Sequence, residues 1–197
     1  VHATNQGAVS WVEFARAVLT AVSRQNAAAG RAFAADSGLS FVENPPDLAA
    51  HPEVDAVLAV LPPDLHPALA RACLARGRPV LVEKPLTSTL EHARDLFRIA
   101  RAQNVVLHVG HVERFNGAVQ ELRKIVERPI LVESRRLGPY APRVAKDSVV
   151  MDLMIHDVDI VLGLVDGEPR KVTAIGASVR SGLADVANVQ LVFDGGA

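Results

Sequence analysis

Short apolar runs alternate with amphipathic stretches through the first half of the chain. Apolar runs of strand length are predicted at residues 18–22, 41–42, 54–61, 79–82 and 105–109. Between them the pattern predicts helices at residues 26–37 and 67–76, which Gly38 and Gly77 end, and at 87–103. Another predicted helix starts at residue 45. Nearly continuous apolar strands that alternate with helices are typical of a parallel sheet covered on both faces. We therefore predict a doubly wound α/β sheet for this half.

The pattern changes after Gly110. It predicts a helix at 116–127, a strand at 130–137, a loop at 138–142 and a helix at 149–164. Residues 171–180 and 187–193 then alternate like antiparallel strands around a turn at Ser181 and Gly182. We predict a parallel-sheet domain over residues 1–112 and an α+β domain with a mainly antiparallel open sheet over residues 113–197. So few strands leave an open edge, so we expect an incomplete C-terminus or a covering partner.

Composition narrows the classes of function. Of 197 residues 49% are apolar and the net charge is −1, which argues against disorder and against nucleic acid or an anionic membrane as partner. One cysteine, Cys73, excludes a disulfide framework or a cysteine metal cluster. The sequence shows no signal peptide and no apolar run of membrane-spanning length. We expect a cytoplasmic protein.

Two segments in the first half follow predicted strands at the end where open α/β sheets bind ligands. They contain Leu61, Pro62, Pro63 and His66 in one segment, and Glu83, Lys84 and Pro85 in the other. A lysine at this place can direct its ammonium into the crevice, and the Lys84–Pro85 bond is a candidate for a cis peptide. On its own, the first segment also fits an ordinary strand-to-helix turn, and the second also fits a loop with a solvated lysine.

Two further segments concentrate titratable side chains. His111 and Arg114 follow the last strand of the first half, and also fit a charged linker. On a helix, Asp152 and His156 are spaced i,i+4 and share a face, which Asp159 joins. A carboxylate beside an imidazole orients the ring for general acid/base work. An amphipathic helix with a structural histidine is the alternative.

Taken in this order, the motifs resemble those of the Gfo/Idh/MocA oxidoreductases. The similarity rests on Glu83-Lys84-Pro85, on Gly110-His111 with Arg114, and on Asp152 with His156; it covers the chain from about residue 19. The resemblance implies a Rossmann domain that binds NAD or NADP, and a second domain that forms the substrate wall. It implies hydride transfer between nicotinamide and a hydroxyl-bearing carbon of a sugar, nucleotide sugar or polyol.

The resemblance also implies residue roles. Lys84, Asp152 and His156 are the expected catalytic residues, and His111 and Arg114 join them in binding substrate. The cofactor-binding residues are expected to be Ser23, Arg24, Leu61, Pro62, Pro63, His66, Glu83, Lys84 and Pro85. No metal is implied, and a homo-oligomer through the second domain's sheet is expected by analogy.

Two departures from the family pattern concern the cofactor. Residues 1–18 contain one glycine, Gly7, and no G-x-G-x-x-G turn, so we expect either a truncated or replaced N-terminus or weak cofactor binding. Ser23 and Arg24 follow the strand where NAD-preferring relatives carry an acid. This predicts a preference for NADP, because an arginine there attracts the 2′-phosphate. Alternatively, Arg24 stacks on adenine or faces water.

Other functions remain open on the sequence. Residues 136–139 and 149–157 resemble the branch that acts on nucleotide sugars, such as UDP-N-acetylglucosamine 3-dehydrogenases. A sensor that binds a dinucleotide without turnover fits the missing glycine loop, although Lys84, Asp152 and His156 oppose it. A metal-dependent phosphohydrolase using His111, Asp152 and His156-Asp157 is a less favoured alternative, because such sites are built in helical bundles and the strand content argues against one.

Overall fold

A computed structural model of the chain describes residues 21–22, 27–140 and 147–194. The chain divides into two compact units, and the boundary lies between Val109 and Gly110. In the described ranges, no helix combines the length and the apolar character that crossing a membrane requires.

The described strands of the first unit form two small sheets. In one, β1 (Ala21–Val22) pairs in parallel with β2 (Ser40–Phe41). In the other, β3 (Val57–Ala59), β4 (Val80–Glu83) and β5 (Leu107–Gly110) lie in that order, and β3 pairs in parallel with β4. β3 and β5 are shorter than the apolar runs predicted at 54–61 and 105–109, whereas β2 and β4 have the predicted lengths. Of the run predicted at 18–22, residues 18–20 lie outside the described residues.

Helices follow the strands of this unit, and glycine stops and a threonine cap determine where several of them end or begin. They are α1 (Ala27–Ser37), a 3-10 helix (Pro45–Ala50), α2 (His66–Ala75) and α3 (Leu90–Gln103). Gly38 and Gly77 adopt φ values of 68° and 70° just beyond the ends of α1 and α2, as the predicted stops require. Thr89 caps α3, because its hydroxyl accepts a hydrogen bond from the His92 amide.

One face of the β3–β5 sheet forms the core of the first unit. Val57 and Ala59 alternate with exposed Leu58 on β3, and Val80 and Val82 repeat the pattern on β4. Their partners in the core are Leu69, Ala70, Cys73, Leu74, Leu96 and Ala100 on α2 and α3. Burial raises the pKa of the Cys73 thiol to about 11, so this cysteine is a core side chain and a poor nucleophile at neutral pH.

The two sheets correspond to the two sides of the Rossmann strand order, which is 3-2-1-4-5-6. The pair β1–β2 fits the second and third strands of that order, and β3, β4 and β5 fit the fourth to sixth. The first strand of the Rossmann order belongs between them, and no strand of the described residues takes that position. That strand carries the phosphate-binding turn, a motif that the sequence of residues 1–18 does not contain.

The second unit combines helices with a β-hairpin. It contains a 3-10 helix (Val112–Phe115), α4 (Gly117–Ile125), a π-helical turn (Val150–Met154) and α5 (Ile155–Leu162). The hairpin consists of β6 (Pro169–Ala177) and β7 (Val186–Phe193), which pair antiparallel with Val172 opposite Leu191. Its turn is closed by Asp185, whose carboxylate accepts hydrogen bonds from the amides of residues 179–181.

Two predictions for this unit need correction. The predicted strand at residues 130–137 is wrong: this segment has no regular structure, and no described strand pairs with it. Ile130, Leu131 and Leu137 are exposed, Ile130 by 84%, so neither a ladder nor a core holds the segment as a strand. The helix predicted at 149–164 begins with the π-turn rather than as a regular α-helix.

Candidate functional site

The candidate site of the first unit lies at the carboxyl ends of β3 and β4. Because these strands are parallel neighbours, the segments that follow them leave the sheet at the same edge. Pro62 is exposed and Leu61 and Pro63 are half-buried after β3. Glu83 and Lys84, both half-buried, stand at and just after the end of β4. The structure thus brings together the two segments that the sequence singled out.

The loop after β4 (the Lys84 loop, residues 84–89) is anchored by hydrogen bonds. The Lys84 amide donates to Glu83 Oε2 at 3.1 Å, and the buried Thr87 hydroxyl donates to the Thr89 carbonyl at 2.7 Å. The Lys84–Pro85 peptide is cis, as the sequence suggested. The two hydrogen bonds make the loop a defined structure rather than a solvated connection.

His66, at the start of α2, also belongs to this region. Its side chain is fully buried, and its Nδ1 donates a hydrogen bond to the Pro85 carbonyl oxygen at 3.0 Å. Its other ring nitrogen, Nε2, is buried too, and no described residue offers it a hydrogen bond. The sequence placed His66 among the residues that line the cofactor, and the structure shows it enclosed by protein.

In the second unit, Arg114 and Asp159 form a bidentate ion pair. Arg114 Nε lies 2.8 Å from Oδ2 and Nη2 lies 2.6 Å from Oδ1 of Asp159. Burial raises the pKa of Asp159, but the hydrogen bonds from Arg114 and the charges of His111, Arg114 and Arg123 outweigh it, and the pKa is lowered. The same hydrogen bonds raise the pKa of Arg114. The pair joins the 3-10 helix to α5.

His111 lies beside this pair, with its Nδ1 3.8 Å from Asp159 Oδ1. The sequence placed Asp159 on the helix face of His156. In the structure its carboxylate is engaged by Arg114 and lies beside His111. Periodicity along one helix gave no sign of this contact, because Arg114 lies 45 residues away in the sequence.

A second ionic cluster in this unit was missed by the sequence analysis. Arg136 donates to both carboxylate oxygens of Asp157 at 3.1–3.3 Å and lies 3.9 Å from Glu113. The hydrogen bonds to Asp157 raise the pKa of Arg136. The contact attaches the irregular segment that contains Arg136 to α5, next to His156. No local spacing could reveal it, since the partners are 21 residues apart.

Asp152 and His156 lie where the π-turn passes into α5. Asp152 belongs to the π-turn, His156 to the first turn of α5, and both side chains are half-buried. Isolated π-helical turns within helices occur frequently at functional sites. The two residues predicted at i,i+4 on a regular helix therefore lie on either side of the junction between the π-turn and α5.

Some predicted features lie outside the described residues. Ser23 and Arg24, proposed for the adenosine end of the cofactor, are among them. So are residues 1–18, where a phosphate-binding turn would be sought. Within the part of the chain that the structure describes, no group of three or more potential metal ligands occurs.

Family comparisons agree with this architecture across both units. A model of the Gfo/Idh/MocA oxidoreductase family, NAD-binding Rossmann fold, matches residues 3–111. A model of the GFO/IDH/MocA C-terminal domain matches residues 117–197. The fold is thus that of a Rossmann-type oxidoreductase with a second α+β domain. The chain belongs to the Gfo/Idh/MocA oxidoreductase family.

Individual relatives have related activities. UDP-N-acetylglucosamine 3-dehydrogenase of Acidithiobacillus ferrooxidans is 39% identical over 145 residues, which are 73% of this chain and 46% of that protein. Inositol 2-dehydrogenase 1 of Saccharopolyspora erythraea is 33% identical over 176 residues, 81% of this chain and 50% of that one. The solved structure of the former superposes with a TM-score of 0.85 at 34% identity, over 94% of this chain and 61% of that chain. The chain spans about half the length of these curated relatives.

Proposed function

We propose that this protein is an NAD(P)-dependent dehydrogenase that acts on a CH–OH group of a sugar, nucleotide sugar or polyol. The observation that carries the proposal is the ordered Lys84 loop at the carboxyl edge of a parallel sheet, in a chain of this family. Relatives named for sugar and polyol dehydrogenation support the reaction class.

The cofactor would be held by segments that lie at one sheet edge. Leu61, Pro62 and Pro63 would line it from β3, and Glu83 and Pro85 from β4. When bound, nicotinamide supplies the acceptor or donor of the hydride. The chain's own residues supply position and charge. Apolar proline surfaces beside one cationic side chain suit this role, because they offer a ring a flat contact and a reacting oxygen a hydrogen-bond donor.

The proton route is assigned to three residues. Lys84 would donate a hydrogen bond to the reacting substrate oxygen and stabilise the charge that develops there. His156 would accept the hydroxyl proton in oxidation and return it in reduction. Asp152 would orient the His156 ring or bind a substrate hydroxyl. His111 and Arg114 would contribute to substrate binding, with Arg114 already fixed by Asp159.

The finer specificity is also proposed. Ser23 and Arg24 favour NADP over NAD, because a guanidinium pairs with the 2′-phosphate where an acid would repel it. A nucleotide sugar is the favoured substrate class, which the similarity to a UDP-N-acetylglucosamine 3-dehydrogenase supports. We also propose a homo-oligomer formed through the sheet of the second unit, where Ile175 on β6 is 74% exposed.

The test is nicotinamide reduction at 340 nm with UDP-N-acetylglucosamine and with myo-inositol. Lys84→Met and His156→Ala should each lower kcat by about 100-fold or more, the range of a lost acid/base or oxyanion contact, while cofactor binding persists. Lys124→Met and His92→Ala are matched controls at exposed positions and should keep wild-type turnover. Turnover that survives both site substitutions would refute the assignment.

A second candidate function is a dinucleotide sensor without turnover. The observation that favours it is the sequence of residues 1–18, which contains only Gly7 and no glycine-rich turn. A sensor would bind NAD(P)H, show no turnover with any substrate, and keep its ligand response in Lys84→Met and His156→Ala. The dehydrogenase loses its turnover in the same variants.

A further inference from the structure

His66 is a buried histidine that the proposed chemistry does not use. It begins α2, its side chain has 0% exposure, and it is one of the largest fully buried side chains of the described residues. A group without accessible surface does not touch a bound molecule directly. Any contribution of His66 to function therefore passes through the protein atoms that it contacts.

The contact that matters is with the Pro85 carbonyl. A carbonyl oxygen only accepts hydrogen bonds, so Nδ1 of His66 carries the hydrogen that spans the 3.0 Å distance. In the neutral ring Nε2 is then an acceptor, buried where no described residue donates to it. A leucine would fill similar space without leaving a buried nitrogen unsatisfied. What the histidine adds is the hydrogen bond to Pro85.

This hydrogen bond joins residues that are much farther apart in the sequence than those joined by the two other hydrogen bonds of the Lys84 loop. The bonds from the Lys84 amide to Glu83 and from Thr87 to Thr89 join residues one or two positions apart. The bond from His66 joins residues 19 positions apart, and connects the loop to α2. It holds the backbone one residue after Lys84, so it limits how the start of the loop can move.

We infer that His66 is a positioning residue for Lys84, acting through the Pro85 carbonyl. The inference rests on the proposed role of Lys84 in turnover. His66 keeps the Pro85 carbonyl, one residue after Lys84, at a fixed distance from the first turn of α2, and so limits the movement of the point from which the lysine side chain extends. Its role is then distinct from lining the cofactor.

The test compares three variants in the full chain without cofactor. His66→Leu removes the donor, and His66→Asn retains an amide donor near the position of Nδ1. Leu69→Ala disturbs the core packing of the same helix and keeps the His66 donor. Amide hydrogen exchange is measured for residues 84–88 by mass spectrometry. Loss of one hydrogen bond should speed exchange there by roughly fivefold to tenfold in His66→Leu. Exchange in His66→Asn should stay near wild type.

Leu69→Ala is the control for general loosening, because Leu69 is a core residue of α2 with 2% exposure. In Leu69→Ala, amide hydrogen exchange should rise across the core, with no selective rise at residues 84–88. The inference is overturned if His66→Leu exchanges like wild type in this loop, or if Leu69→Ala shows the same selective rise. If His66→Leu fails to fold, the inference requires that His66→Asn folds with wild-type loop exchange.

Turnover separates this inference from the proposed function. With an active wild-type enzyme, His66→Leu should lower kcat about tenfold or more with little change in cofactor affinity, and His66→Asn should restore most of it. Wild-type kcat in His66→Leu overturns the inference even when loop exchange is faster. If wild type shows no turnover, the proposed function fails, and the exchange result alone decides whether His66 fixes the loop.

Discussion

Asp159 is the buried carboxylate among the described residues of the second unit, and its pKa is lowered there. Its side chain is 8% exposed, and Arg114, which is 47% exposed, covers it with two parallel hydrogen bonds. Removing the carboxylate leaves the guanidinium without this partner, although water can reach the exposed side of Arg114. The pair is therefore expected to contribute less than a fully buried one.

We predict that Asp159→Asn lowers the free energy of unfolding by about 1–2 kcal/mol at neutral pH. Because the pKa of Asp159 is lowered in the folded protein, the stabilisation is complete above the ordinary pKa of an aspartate, near 4, and is lost as the pH falls through the lowered value. Urea unfolding at pH 7 and at pH 3 measures both effects. Asp166→Asn, at an exposed position of the same unit, is the control.

The prediction fails if Asp166→Asn is as destabilising as Asp159→Asn, or if the difference between wild type and Asp159→Asn is the same at both pH values.

Side-chain contacts between residues distant in the sequence could not be predicted from the sequence. Arg114 and Asp159 are 45 residues apart, and His66 and Pro85 are 19 apart, so neither pair falls within one helical or strand period. The residue types were identified, and their partners depended on tertiary packing.

At the scale of elements, local chemistry decides where helices begin and end. The helix that leads away from the Lys84 loop, α3, is capped by Thr89, whose hydroxyl accepts from the His92 amide at 3.3 Å. Thr89→Ala should lower the free energy of unfolding by about 1 kcal/mol, the usual effect of a lost N-cap. Chemical denaturation measures it, with the adjacent exposed Ser88→Ala as control. An equal loss in both variants would contradict the capping role.

The hairpin of the second unit is the element that should join two copies of the chain. Ile175 on β6 is 74% exposed and Val186 on β7 is 58% exposed. Ile175→Lys should convert the wild-type oligomer to a smaller species in light scattering coupled to size exclusion, because a lysine resists burial in an apolar interface. Ile125→Lys, at an equally exposed site on α4, should leave the mass unchanged. A monomeric wild type at micromolar concentration would contradict the interface.

Elements were predictable where the signal is local. The ends of α1 and α2 followed from Gly38 and Gly77, which take the positive φ that a helix stop favours. The antiparallel pairing of β6 with β7 followed from alternation around a turn. Residues 130–137 have a strand-like composition, but a strand also needs a neighbour, and the pattern of one segment does not show whether a neighbour exists.

For the whole molecule, alternation of strand and helix indicated the fold class, and the motifs indicated the family. The exact substrate depends on the shape of a pocket rather than on the fold, so the sequence pattern limits it only to a class. The proposed cofactor site combines segments that are described, after β3 and β4, with Ser23 and Arg24, which are not. We propose that this chain binds a nicotinamide dinucleotide at that site.

The most direct test is an equilibrium titration of the chain with NADPH and with NADH, followed by the fluorescence of the reduced nicotinamide. We predict saturable binding of one NADPH per chain, about tenfold tighter than NADH, since one charge-assisted contact to the 2′-phosphate contributes on that scale. Arg24→Ala should make the two affinities equal. Absence of saturable binding for both dinucleotides would contradict the proposed function.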